Sequence, residues 1–168
     1  MQPIFTTPQS RALCPMNSDQ LRRKIEKVFP YVEKPKGMAL SFHADDCDQC
    51  SYLRNDLGRY TDTLLPPEGI REIYQEMSCL SAAAWRWVLP SYLLFSLSEK
   101  AGYDQTETEF LIYNLSPELK HQLETRKRLS ALNQEQISCL IHFLEWCKDH
   151  EHWGQYCPDE ISSAITFL

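Results

Sequence analysis

Residues 43–50, His43-Ala44-Asp45-Asp46-Cys47-Asp48-Gln49-Cys50, place one imidazole and two thiols within eight positions. A Cys-x-x-Cys pair turns both sulfurs the same way, so His43, Cys47 and Cys50 can converge on one zinc-sized ion. Zinc is the expected metal. The motif supplies three ligands, and a fourth must come from distant sequence: Cys79, Cys139, Cys147 and Cys157 are the candidates. Cys147 and Cys157 fall near the end of a helix, from which a side chain could reach across. An iron–sulfur cluster wants more thiolates than these two neighbours provide. The plainer alternative is two helix cysteines beside a surface histidine, because no second ligand pair completes a zinc knuckle. A thiol redox role fits poorly. Asp45, Asp46 and Asp48 surround the sulfurs with negative charge, and no βαβ pattern is present.

A second group of titratable residues, His142, Glu145 and Asp149, shares a helical stripe with Ser138 at 100° per residue. Such a stripe could do acid/base work, but it reads more simply as the solvent side of an otherwise buried helix. His150 and His152 fall beyond that helix. In Trp85-Arg86-Trp87 the aromatics have core spacing, and Arg86 needs a carboxylate partner or a snorkelling route. Arg86 is read first as structural and second as an anion-binding candidate. The chain has no Gly-rich phosphate loop, no G-x-S-x-G, no H-E-x-x-H and no paired-carboxylate signature, so the commonest enzyme classes drop out.

The elements that must position these residues are helical. A chain of 168 residues with 43% hydrophobic content can fill one core. Glycine is scarce and strict polar/apolar alternation nearly absent, which leaves strands without support. Residues 1–16 carry three prolines and read as a loose arm before a single domain over 17–168. Asn17 with Gln20 forms a capping-box signature that opens a helix through Leu21, Ile25, Val28 and Phe29. An irregular connection follows from Pro30 to Phe42. Asp45 or Asp46 is the expected N-cap of a second helix, with Cys47 and Cys50 in its first turn and its end before Gly58. A third helix follows Pro66-Pro67, with Ile70, Ile73, Tyr74 and Met77 on one side.

Ser81 should cap a fourth helix running to about Lys100. Trp85, Val88, Leu89, Tyr92 and Phe95 share one of its faces while Trp87 and Leu94 lie opposite, so it packs on two sides. Pro90 inside it frees the Arg86 carbonyl. Asp104 to Leu115 reads as helical, and Ser116-Pro117-Glu118 as the cap of another helix. Asn133 with Gln136 opens a further helix to about His150, with Ile137, Leu140, Ile141 and Leu144 as its main face. Pro158 starts the last. The sum is an all-α, single-domain bundle of about seven or eight helices with two buried central ones.

The formal net charge of −6 repels phosphate backbones, so nucleic acid is not an expected partner. The basic runs Arg22-Arg23-Lys24 and Arg126-Lys127-Arg128 read as solvated helix faces. The stretch Leu80 to Leu97 is interrupted by Arg86 and Pro90 and falls short of a membrane span. The start lacks the basic and apolar regions of a signal peptide, and the cysteine count of seven is odd. A cytoplasmic protein with reduced thiols is the expectation.

The order of these pieces resembles an uncharacterised bacterial family, a domain of unknown function. The resemblance rests on His43, Cys47 and Cys50, then on Leu80-Ser81 followed by Trp85-Arg86-Trp87-Val88-Leu89-Pro90-Ser91-Tyr92-Leu93. It continues through Arg128-Leu129-Ser130-Ala131-Leu132-Asn133-Gln134-Glu135-Gln136 into Phe143-Leu144-Glu145, and so covers roughly 38–147. Asp48-Gln49 departs mildly from the family pattern between the cysteines. The resemblance implies a unified fold and a bacterial cytoplasmic origin, and it carries no catalytic residue.

The leading functional reading is a small cytoplasmic helical binding or regulatory protein, immunity- or adaptor-like, with another protein as partner and a structural zinc as stabiliser. The rival is a metal-dependent enzyme in which His43, Cys47 and Cys50 hold zinc and water takes the fourth position. A third is a structural helical module without metal.

Overall fold

Asn17 and Asn133 each close a reciprocal cap. In both, the asparagine side chain accepts the backbone N–H three residues on, and the glutamine there returns the bond to the cap N–H. The two caps start α1 (Ser18–Val28) and α7 (Gln134–Asp149), the capping boxes expected from sequence. The computed structural model describes residues 15–43, 47–61, 64–102 and 105–168. Most of the expected N-terminal arm, the Asp45 and Asp46 caps and the Asp104 helix start lie outside these residues.

Among the described residues the chain is all-helical, with α2 (Asp48–Gly58), α3 (Pro67–Ile73), α4 (Ala82–Ser96), α5 (Thr106–Leu115) and α6 (Gln122–Arg128) between those two helices. After α7 come α8 (Trp153–Tyr156) and α9 (Pro158–Phe167). Since α8 is a single turn, eight helices reach seven residues, in keeping with the expected bundle. Short 3-10 turns cover Gly37–Leu40, Tyr74–Cys79, Glu99–Gly102 and Leu119–His121.

Some boundaries differ from the sequence reading. The third helix does not stay α-helical through Tyr74 and Met77 but tightens into the 3-10 turn ending at Cys79. Ser116 is the C-cap of α5 and not the N-cap of a new helix, and α6 begins only at Gln122. Local capping signals cannot choose between ending one helix and starting the next when both use the same serine and proline.

Ser81 caps α4 as expected, its hydroxyl accepting from the Ala84 N–H. Of the fifteen residues in α4 only Ala82, Ala83, Arg86 and Leu94 escape full burial, and the helix continues through Pro90. It packs on α1, α3 and α6, which explains apolar residues on two sides. Its buried hydroxyls are all satisfied. Ser91 accepts from the Leu65 N–H, Tyr92 donates to the Glu107 carbonyl, and Ser96 accepts from Thr108. Arg86 finds no carboxylate among the described residues; its guanidinium lies 5.5 Å from the Phe29 ring centroid, with Nη1 buried and without a hydrogen-bond partner there, so the cation contacts an aromatic face instead of reaching solvent fully.

The second central helix, α7, packs on α1, α8 and α9. Its buried face is Cys139, Leu140, Phe143, Leu144 and Cys147, with Ile137 and Ile141 only half-buried. Gln136 ties it to α1 by donating to the Val28 carbonyl at 2.9 Å, and Trp146 donates to Ser18 at 3.2 Å. The expected polar stripe is therefore not a solvent face throughout. His142 is buried, its Nδ1 2.6 Å from the Ser138 carbonyl and 3.0 Å from Lys24 Nζ. With Asp149 exposed and Glu145 half-buried, these residues do not converge on a site.

Lys34 fixes the end of α2. Its ammonium donates to the Leu57 and Tyr60 carbonyls and lies 5.5 Å from the Trp87 ring. Cations are favoured where a helix leaves its last carbonyls unpaired. Burial holds the Lys34 pKa below its ordinary value.

Candidate metal centre

Three separate pieces of chain deliver the donors. One residue pair does most of the positioning: Ser41 and Leu80 form an isolated antiparallel bridge. Around it the Phe42 N–H donates to the Cys79 carbonyl at 2.7 Å, and the Ser81 N–H donates to the Leu40 carbonyl at 3.0 Å. The Ser81 hydroxyl also donates to the Ala39 carbonyl. Antiparallel pairing sets residues that follow Ser41 beside residues that precede Leu80. His43 and Cys79 are thereby brought to one place, while α2 packs on the 3-10 turn ending at Cys79 and brings Cys47 and Cys50.

The ligand atoms of His43, Cys47, Cys50 and Cys79 all lie within 4.8 Å of one another. His43 Nδ1 is 3.4 Å from Cys50 Sγ and 3.9 Å from Cys47 Sγ. Cys50 Sγ lies 4.0 Å from the Cys79 carbonyl, and Cys79 Sγ lies 3.9 Å from Gln49 Oε1. Sulfurs bound to a common tetrahedral zinc stand about 3.8 Å apart, given Zn–S bonds of about 2.3 Å. The four donors are thus near enough to hold a metal ion with side-chain adjustments of about 1 Å. Burial is graded across the group, from exposed His43 and half-buried Cys47 to buried Cys50 and Cys79.

Of the four candidate cysteines, the structure brings Cys79 beside the other three donors. Cys147 and Cys157, placed near a helix end by sequence, are buried in the α7–α9 region; burial, with Cys157 nearby, raises the Cys147 thiol, and burial, with Glu109 and Glu160 nearby, raises that of Cys157. Burial pushes Cys157 up to about 11 and Cys139 likewise to about 11. These three are core side chains.

α2 begins one or two residues later than the sequence suggests. Cys47 is itself the N-cap, with extended backbone at φ −91° and ψ 107°, and Cys50 is the third helical residue. The Cys47 side chain makes no full capping hydrogen bond, yet the N–H of Cys50 faces its sulfur closely enough to hold the thiol below its ordinary pKa. The Cys50 side chain and the Gln49 N–H add to that effect, so the helix start favours thiolate at Cys47 despite the neighbouring Asp48. Cys79 is the opposite case: burial, with Cys50 and Cys47 beside it, pushes its thiol up to about 12. A buried thiol among other thiols needs a cation before it can ionise.

A model of a family of unknown function, DUF6714, matches residues 17–161. The chain belongs to that family. The match spans the bundle from the first capping box into α9 and includes His43, Cys47, Cys50 and Cys79. The resemblance read from the sequence, to an uncharacterised family, is met by this match. No curated protein and no solved structure matches the chain. For this DUF6714 member, the His/Cys group is the most specific chemistry among the described residues.

No described helix is long and apolar enough to cross a membrane.

Proposed function

We propose that His43, Cys47, Cys50 and Cys79 hold a structural zinc ion, and that the chain is a helical binding or regulatory protein of the immunity or adaptor kind. The observation that carries the metal reading is the convergence of one imidazole and three thiols from three chain segments. Three sulfurs and one nitrogen are a common closed zinc set, whereas a cubane or rhombic iron–sulfur cluster asks for four thiolates. Cys79 stands in the corner where the rival enzyme reading needs water, so the donor set favours a structural ion over a catalytic one. Six described cysteines are free thiols, which suits a reducing compartment such as the cytoplasm.

The metal, when bound, supplies a crosslink. It would tie the start of α2 to the Ser41–Leu80 bridge and so fix the irregular segment that carries His43. The binding role is supported by exposed apolar residues on one piece of surface. Leu119, in the 3-10 turn before α6, and Leu123, in its first turn, are 86% and 68% exposed. Leucines presented this way cost solubility unless a partner covers them.

Two measurements test these halves. Protein purified without chelator should carry one zinc per chain by elemental analysis and native mass spectrometry. Cys79→Ser and Cys50→Ser should lose it, while Cys139→Ser keeps it. Absence of stoichiometric metal in the wild type would sink the zinc reading. For the binding role, Leu119→Glu combined with Leu123→Glu should leave the circular dichroism unchanged and abolish crosslinking to the cellular partner. A crosslinking pattern indifferent to both changes would remove this surface from consideration.

A further inference from the structure

Beside the metal centre lies a cavity of about 520 Å³ between the His43 segment, the end of α5 and α6. Arg128 lines it, and Arg128 is unusual in this acidic chain. Its side chain is 9% exposed, and its Nε is buried with no hydrogen-bond partner among the described residues. Its one ion pair among the described residues is long, Nη2 to Glu124 Oε2 at 3.4 Å, with Glu124 half in solvent. The guanidinium lies over the Phe42 ring, 4.6 Å from its centroid, and that ring meets His43 edge-on at 5.2 Å. Stacking fixes the plane of the guanidinium and leaves its edge for in-plane hydrogen bonds. A buried guanidinium with five donors and one weak acceptor is under-satisfied, and such groups call for a ligand.

We propose that this cavity binds a carboxylate, held by Arg128 and by the Nε2–H of His43. His43 lines the same cavity, and its Nδ1 is turned toward the thiols. A histidine that gives one nitrogen to a metal carries its proton on the other and donates it to a carboxylate or carbonyl. This second contact rests on the metal reading; the Arg128 contact does not. The cavity's other charges choose a monoanion over a phosphate. Glu118, Glu124 and His121 also line it, the two carboxylates each already paired, with Lys120 at 3.0 Å and with Arg128, which leaves Arg128 as the one permanent cation among the described residues of the lining. A dianion would meet two carboxylates with one guanidinium to answer them, whereas one carboxylate matches the fork of Arg128. Thr125 and Ser116 add hydroxyls to the lining.

The test titrates the full, zinc-loaded chain with N-acetylglycine, N-acetylglycinamide and inorganic phosphate, followed by proton–nitrogen correlation spectra. N-acetylglycine should give saturable shifts at the Arg128 Nε–H and the Thr125 amide, with the neutral amide and phosphate at least about tenfold weaker, the scale of one charge-assisted contact. Arg128→Lys keeps the charge but loses the fork and should weaken binding by a similar factor. If that variant fails to fold, the acid-against-amide comparison on the wild type decides alone. A blocked tetrapeptide with a free C-terminus separates the two sources of carboxylate. Tighter binding than N-acetylglycine assigns a polypeptide end, and equal binding assigns a small acid. Equal response to acid and amide, phosphate binding as tight as the acid, or unaltered binding by Arg128→Lys would overturn the proposal. Zinc removal should weaken N-acetylglycine several-fold. A chain that takes up no zinc yet passes the acid-against-amide comparison loses the metal reading and the His43 contact, and keeps the Arg128 site.

Discussion

With the proposed zinc bound, stripping it from the wild-type protein, or changing Cys79 to serine, is expected to lower the unfolding midpoint by roughly 8–16 °C. The figure follows from mass action. A ligand held at about a thousand times its dissociation constant adds about 4 kcal/mol to the folded state, and a domain of this size shifts by about 2–4 °C per kcal/mol. Small zinc fingers lose their fold entirely without metal, at about 10–16 kcal/mol of binding energy. Here the effect is smaller because an apolar core built on α4 and α7 exists without the ion. Loss should be local first. Hydrogen exchange should speed up at the Phe42 and Ser81 amides, which form the bridge, and at the first turn of α2, before the Ala84 to Ser96 amides respond. Zinc binding must displace the proton that burial holds on Cys79, so affinity should fall as pH falls. A thermal scan with and without a chelator checks the first claim; coincident midpoints would refute it.

Trp85→Ala should cost about 3–5 kcal/mol, the range for emptying a large aromatic site in a core. Trp85 is 1% exposed on α4, which packs against α1, α3 and α6, so no surface exists for the cavity to collapse toward. One detail separates packing from hydrogen bonding at this position. The Trp85 Nε1–H is buried with no partner among the described residues. An unpaired buried donor costs about 1–3 kcal/mol, so Trp85→Phe removes both volume and a penalty. Trp85→Phe should therefore cost less than about 1.5 kcal/mol, as for swaps that keep most of the volume. Urea unfolding of the two variants, with equal slopes, measures both. Equal losses would mean that the indole nitrogen is satisfied and that the ring's full size matters.

Much of this architecture is written in local pattern. Asn17–Gln20, Ser81 and Asn133–Gln136 act through side chains and amides three residues apart, so a reader of sequence can place those helix starts. The two-sided apolar pattern of α4 likewise announces enclosure, because a helix cannot hide two faces against one neighbour. His142 shows where pattern fails. Its position on a polar stripe suggested solvent, but α1 packs on α7, and the ring's Nδ1 lies against the Ser138 carbonyl and the Lys24 ammonium. Periodicity records which residues share a face and says nothing of what lies against that face. Ser116 misled for a related reason, since a serine before proline suits the end of α5 as well as a beginning.

For the metal centre the division is sharper. His43, Cys47 and Cys50 are legible because eight residues of chain keep their donors within reach of one ion, whatever the rest of the molecule does. Cys79 is 29 residues beyond Cys50, and on spacing it stood level with Cys139, Cys147 and Cys157. What chose it is the Ser41–Leu80 bridge, a single antiparallel pair too short to leave any alternation in the sequence. Sequence fixes which donors are local, since covalent tethering limits their separation. The fourth corner depends on which distant backbone groups pair, and only the packed molecule decides that.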